Sequence, residues 1–116
     1  MEIVEKLKNE YEKYCKERGM ALSEGNSKKA NFLHKKLTHL MQQAIDANLF
    51  DIFIPFLESE DDSVKLWTAC EYLQAYPEIS LKALNDLSKS SDFLISFKAK
   101  ATIKLYKEGK WDKWIS

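Results

Sequence analysis

Residues 58–73 read Glu58-Ser59-Glu60-Asp61-Asp62-Ser63-Val64-Lys65-Leu66-Trp67-Thr68-Ala69-Cys70-Glu71-Tyr72-Leu73, and this stretch decides the fold. It opens on a run of acids and serines and continues as an apolar segment. Acids and serines at such a junction satisfy the free N–H groups of a helix start and sit at the positive end of its dipole. Val64, Leu66, Trp67, Ala69, Cys70, Tyr72 and Leu73 then fall nearly all round a helix that runs to about Ala75. A helix apolar on every side is a central one. Glu58, Glu60, Asp61 and Asp62 read as caps and a solvated turn; a paired carboxylate acid–base site is the alternative.

The same pattern recurs downstream. Ile52-Phe53, Phe56 and Ser59 match Ala83-Leu84, Leu87 and Ser90 at an offset of 31. Val64 to Leu73 matches Ser96 to Leu105 at an offset of 32, which places Ala69 against Ala101 in mid-helix. A short helix, a serine and an acid, then a longer helix: this is the spacing of stacked helix pairs, each covering the apolar face of the last. Chance similarity between amphipathic helices is the competing explanation.

Working outward, Val4, Leu7, Tyr11, Tyr14 and Cys15 mark one face of a helix from Glu2 to about Ser23, with Glu2–Lys6 and Glu12–Lys16 as favourable pairs. Glu24-Gly25-Asn26-Ser27 ends it and starts a second helix to about Ala47, whose stripe is Ala30, Leu33, Leu37, Leu40, Met41 and Ala44. A third, from Asn48 as N-cap to Ser59, buries Ile52, Phe53, Phe56 and Leu57 and is kinked or delayed by Pro55. The helix that starts in the acidic run Glu58 to Ser63 and continues to about Ala75 is the fourth. Pro77 opens the fifth, with Leu81, Leu84 and Leu87 inward. The sixth follows Ser90-Ser91-Asp92 to about Glu108, with Leu94, Phe97, Ala101 and Leu105 as its core side and Ile103 as an addition to it. Gly109 stops it, and Trp111, Trp114 and Ile115 read as a tail packed back on the body.

The expectation is an all-α fold, an α-α superhelix of armadillo/HEAT-like type with about six helices in stacked antiparallel pairs, as a single domain over residues 1–116. Composition agrees. Three glycines and two prolines in 116 residues leave little turn chemistry for a β-sandwich or barrel. Eighteen basic and eighteen acidic side chains cancel, which speaks against a uniformly basic nucleic-acid binder. The N-terminal stretch is charged throughout and lacks the apolar core of a signal peptide. No apolar run approaches the ~20 residues of a membrane span. Cys15 and Cys70 are too few for a disulfide framework and read as reduced, so the expected location is the cytoplasm.

Two segments carry a family resemblance. One is Glu24-Gly25-Asn26-Ser27-Lys28-Lys29-Ala30-Asn31. The other is Glu60-Asp61-Asp62-Ser63-Val64-Lys65-Leu66-Trp67-Thr68-Ala69, followed by Tyr72-Leu73, Pro77-Glu78, Leu81 and Leu84. Residues 99–111, with Lys107-Glu108-Gly109, form a weaker third. In order and spacing they span about three-quarters of the chain. The chain resembles a bacterial domain-of-unknown-function family, number twenty-nineteen in that series, with an armadillo/HEAT-like fold. The resemblance implies an α-α superhelix in bacterial cytoplasm. It implies no catalytic residue, because the family has none established. Small domains of this kind are expected to partner or neutralise toxins, an expectation that rests on similarity.

The residues themselves offer little chemistry. His34 and His39 are five apart, about 140° round a helix, and cannot chelate one metal from one face. They read as partly exposed helical side chains. The chain has no C-x-x-C, H-x-x-x-H, H-E-x-x-H, G-x-S-x-G, G-x-G-x-x-G or Walker-type loop. The expectation is a non-enzymatic protein with no cofactor and no metal.

Charge, though balanced, is segregated. Residues 28–45 hold Lys28, Lys29, Lys35 and Lys36 and no acid, whereas residues 46–86 hold nine acids against Lys65 and Lys82. Residues 87–116 hold seven lysines against three acids. Lys29 and Lys36 share a face of the second helix, and Lys100, Lys104 and Lys107 share one of the sixth. If second helices line the concave side, as in stacked-pair solenoids, these lysines flank an acidic centre and steer a partner. The alternative is a plain solvated face. Trp67, Trp111 and Trp114 are either core or anchors. The candidate partner-binding residues are therefore Lys29, Lys36, Lys65, Trp67, Lys100, Lys104 and Lys107. The partner expected is a protein, a toxin by resemblance. The alternative is a nucleic acid held by lysines of the second and sixth helices. No membrane is involved, and the chain is a monomer or weak homodimer.

Overall fold

The computed structural model describes residues 2–111, and every regular element among them is helical. They are α1 (Glu2–Ser23), α2 (Ser27–Asp46), a 3-10 segment (Phe50–Glu58), α3 (Asp62–Tyr72), α4 (Pro77–Leu87) and α5 (Phe93–Lys107). The fold is all-α and built from packed helix pairs, repeat-like in its second half. By its contacts the chain divides into two compact units, Met1–Phe56 and Leu57–Ser116. None of the described helices is long and apolar enough to cross a membrane.

In the first unit, α1 and α2 form a hairpin. Gly25, at φ 72°, takes the left-handed conformation that ends α1. Asn26 N–H then donates to Ala21 O at 2.8 Å and Gly25 N–H to Leu22 O at 3.2 Å, closing the helix end. Asn26 also starts α2, its Oδ1 accepting from Lys29 N–H at 3.1 Å. α2 buries the stripe expected of it, Ala30 to Ala44. α1 buries Leu7, Tyr11, Cys15 and Ala21, and its Glu12–Lys16 pair closes at 3.7 Å.

The third element departs from expectation twice. Asn48 does not cap it. With φ 62° it ends α2, its N–H donating to Ile45 O at 3.0 Å while Leu49 N–H donates to Ala44 O at 2.7 Å. Asparagine tolerates this left-handed geometry better than other side-chain-bearing residues. The segment that follows is a nine-residue 3-10 helix, not a kinked α-helix. Pro55 lacks an N–H and its ring crowds the carbonyl four residues back, so α-geometry is unfavourable there. A 3-10 run this long needs tertiary support. The rings supply it: Tyr11 stacks on Phe53 at 3.9 Å and 9°, and on Phe56 at 5.5 Å and 13°. Tyr11 and Phe53 are wholly buried.

In the second unit the two helix starts repeat at an offset of 31. Ser59 Oγ accepts from Asp61 N–H at 3.1 Å, and Ser90 Oγ accepts from Asp92 N–H at 3.1 Å. Asp61 Oδ1 accepts from Ser63 and Val64 N–H at 2.9 and 3.1 Å, and Asp92 Oδ1 accepts from Ile95 N–H at 3.2 Å. Buried positions keep this register: Val64 with Ile95, Thr68 with Ala99, Glu71 with Thr102. The offset of 32 expected for the second half is therefore corrected. So is the core face of α5, which is Ile95, Ala99 and Thr102. Leu94 and Phe97 are exposed, and Ala101, Ile103 and Leu105 only half-buried. A one-residue shift turns a helix by about 100°, enough to exchange its faces.

Two further hydrogen bonds fix where α5 begins. Ser90 Oγ donates to Asp62 Oδ2 at 2.7 Å, and Ser96 Oγ donates to Ser88 O at 2.8 Å. α3 is central within this unit, packing on both α4 and α5 and burying Val64, Trp67, Thr68, Ala69 and Tyr72. Pro77 opens α4, which buries Ala83, Leu84 and Leu87, while Leu81 is only half-buried. Gly109, at φ 71°, ends α5. Trp111 is half-buried and its carbonyl accepts from Gln74 Nε2 at 3.4 Å, so this part of the tail is tied back. Trp114 and Ile115 lie outside the described residues.

Losing a cap that accepts two N–H groups costs more than losing one that accepts a single N–H. Asp61→Ala is expected to lower stability by about 1–2 kcal/mol and Asp92→Ala by about 1 kcal/mol. Urea unfolding of the two variants checks the order.

Candidate interaction surface

The geometry of α5 assembles the most distinctive surface in the second unit. With Ile95, Ala99 and Thr102 turned inward, residues 93, 97, 100, 104 and 107 fall on one outward stripe, the i, i+4, i+7, i+11, i+14 spacing of a single helix face. Phe93 is 83% exposed and Phe97 60%, and their rings lie near-parallel (18°) with centroids 6.3 Å apart. Large aromatic rings this exposed are unusual on a globular surface. Lys100, Lys104 and Lys107 continue the stripe. Their amines have no hydrogen-bond or ion-pair partner among the described residues. Beside them runs an open groove of about 440 Å³, walled by Asn85 of α4, by Ser88 just after α4 and by Ile103. Glu108 at its end is 3.9 Å from Lys110.

Lys65 and Trp67, also expected at a partner face, sit elsewhere. Lys65 Nζ is 3.4 Å from Asp86 Oδ2 and mostly buried, so it braces α3 against α4. Trp67 is 7% exposed and belongs to the core. The structure thus separates these two from the three lysines of α5.

In the first unit, Lys29 and Lys36 are exposed on α2 with Phe32 between them in the helix register. Phe32 is itself exposed, and Lys36 Nζ stands 5.4 Å from its ring centroid. This is cation–π distance. Each unit therefore presents an exposed phenylalanine beside lysines on one helix.

The remaining chemical candidates have structural places. Asp61 is a cap and Asp62 accepts from Ser90. Cys15 is buried, Cys70 half-buried, and neither is in a disulfide. Among the described residues no cluster of three or more His, Cys, Asp or Glu could hold a metal ion. His39 is exposed and His34 half-buried. Burial first, and the Arg18 charge second, hold the His34 imidazole below its usual range.

Sequence reasoning missed Phe93 and Phe32 and assigned Phe97 to the core. The signal that finds Phe97 is the cap: aligning Asp92 on Asp61 sets the register at 31 and turns Phe97 outward. No protein-family model, curated protein or solved structure matches this chain.

A histidine whose folded pKa lies below its unfolded one disfavours the folded state only when protonated. His34 thus leaves stability intact above about pH 6.5 and reduces it as pH falls below that value. Titration of the His34 ring by NMR is expected to show a midpoint below 6.5, moving upward in Arg18→Gln.

Proposed function

We propose that this chain is a non-enzymatic protein-binding module of HEAT-like type, acting in bacterial cytoplasm, with a toxin as the partner that its family resemblance suggests. The observation that carries the reading is the outward stripe of α5, where exposed phenylalanines adjoin three lysine amines that have no ion-pair partner among the described residues. Exposed aromatic rings are enriched at interfaces, where they lose water on contact, and neighbouring charges steer and select the partner. The smaller Lys29–Phe32–Lys36 face of α2 supports the same reading. No residue is assigned a catalytic role, and the working unit is a monomer or weak homodimer.

Nucleic acid is the competing partner for the same lysines. The balance of eighteen basic and eighteen acidic side chains favours a protein.

The test is co-purification from nuclease-treated lysate at mild salt. The expected result is one protein retained at about one-to-one, and lost or strongly reduced when Phe93 and Phe97 are changed to glutamate. Absence of any stoichiometric protein would overturn the proposal.

A further inference from the structure

Resting on the binding-module reading, and naming its site and the chemistry of its partner, we infer that the α5 stripe docks an acidic amphipathic helix, its apolar end against Phe93 and Phe97 and its carboxylates against Lys100 and Lys104.

Four features converge on this occupant. The stripe is straight and follows a fifteen-residue helix, which at 1.5 Å per residue is about 22 Å long, the span of four turns of a partner helix. Its two ends differ in kind. Phe93, Phe97 and Leu94 make the first apolar, and Lys100, Lys104 and Lys107 make the second cationic. A complementary helix must therefore carry apolar residues at one end of its face and acids at the other. That polarity fixes both partner chemistry and direction. Among the described residues none of the three amines is paired with an acid, whereas Lys65 and Lys110 are matched with Asp86 and Glu108. Finally, the groove beside α5 has α4 as its other wall, and a helix packs by laying side-chain ridges into such a trough.

A nucleic-acid strand uses less of this surface. Its phosphates would engage the lysines. Bases of a single strand would stack on the two phenylalanine rings, but exposed Leu94 beside them offers no ring, and the chain's eighteen acids offset its eighteen basic groups, which favours a protein helix. A second copy of the chain bearing the same stripe would bring lysines toward lysines unless the helices run antiparallel, and then the cationic ends are left without acids.

The experiment uses the full chain and a synthetic helical peptide of about 18 residues, long enough to hold some helix alone, with leucines at one end of its face and glutamates at the other. Fluorescence anisotropy gives affinity, and amide shifts of the isotope-labelled chain give the site. Saturable binding is expected, with shifts confined to α5 and the facing wall of α4. Phe93→Ala with Phe97→Ala is expected to weaken it about tenfold, as is Lys100→Glu with Lys104→Glu, each about the loss of one good contact. Replacing the peptide's glutamates by lysines abolishes it. All four side chains are exposed, so circular dichroism is expected to show folded variants.

Shifts on another face, or variants that bind like the wild type, overturn the proposal. So does tighter binding of a single-stranded oligonucleotide with a steep salt dependence, which hands the surface to nucleic acid. A dimer in sedimentation that Phe93→Glu dissociates overturns it in favour of self-association. If the peptide fails while wild type and Phe93→Glu/Phe97→Glu retain the same protein from lysate, the α5 assignment falls and the binding-module reading survives. If the wild type retains none, both fall.

Discussion

The aspartate that starts α5 governs what this protein presents to its surroundings. Asp92 accepts from Ile95 N–H, is itself held by Ser90 Oγ, and so sets Phe93 as the first helical residue. Ser90 in turn donates to Asp62 in the first turn of α3, so the starts of the two helices are joined by a side-chain bridge. With the start fixed, the 3.6-residue period leaves no freedom over which side chains go inward. Ile95, Ala99 and Thr102 fill the contact with the rest of the unit, and Phe93, Phe97 and the lysines must face out. A cap contributes about 1 kcal/mol to stability, but its influence on which face is buried reaches the whole helix.

The repeated device explains why the second unit is repeat-like. Ser59-Glu60-Asp61 and Ser90-Ser91-Asp92 place the same hydroxyl and carboxylate at the same spacing before each long helix. Each segment solves the same local problem, which is to satisfy the free N–H groups of a helix start at a tight junction. The differences lie in what each helix buries. α3 packs on two neighbours and carries Trp67 and Tyr72 in the core, whereas α5 buries a narrow line of one large and two smaller residues. A helix with so narrow a buried line has much of its circumference left for contact with something else.

Much of this was legible in the sequence. The all-α class, the α2 stripe, the Gly25 and Gly109 stops, Pro77 at a helix start and the buried α3 all follow from periodicity and capping, and the structure contains them. Three features were not legible, each for a physical reason. Asn48 is as good a helix cap as a left-handed stop, and only the hydrogen bonds into Ala44 and Ile45 decide between them. Pro55 announces a break but not that stacking by Tyr11 sustains a 3-10 run through it. Residues 93–107 hold apolar side chains on two faces, so hydrophobicity alone favoured Leu94, Phe97, Ala101 and Leu105 as the buried side. The candidate lysines were found by charge pattern, but charge does not distinguish Lys65, tied to Asp86, from Lys100 and Lys104, which have no acidic partner among the described residues.

The orientation of α5 is the claim from which the docking surface follows, and a pair of substitutions measures it directly. Equilibrium denaturation of Ala99→Asp and Phe97→Asp places a new carboxylate on opposite sides of the same helix. Burying an unpaired charge costs several kcal/mol, whereas an exposed substitution typically stays within about 0.5 kcal/mol. The account requires Ala99→Asp to abolish or severely weaken folding of the second unit and Phe97→Asp to leave it near the wild type. A severe loss at Phe97 together with tolerance at Ala99 would contradict it.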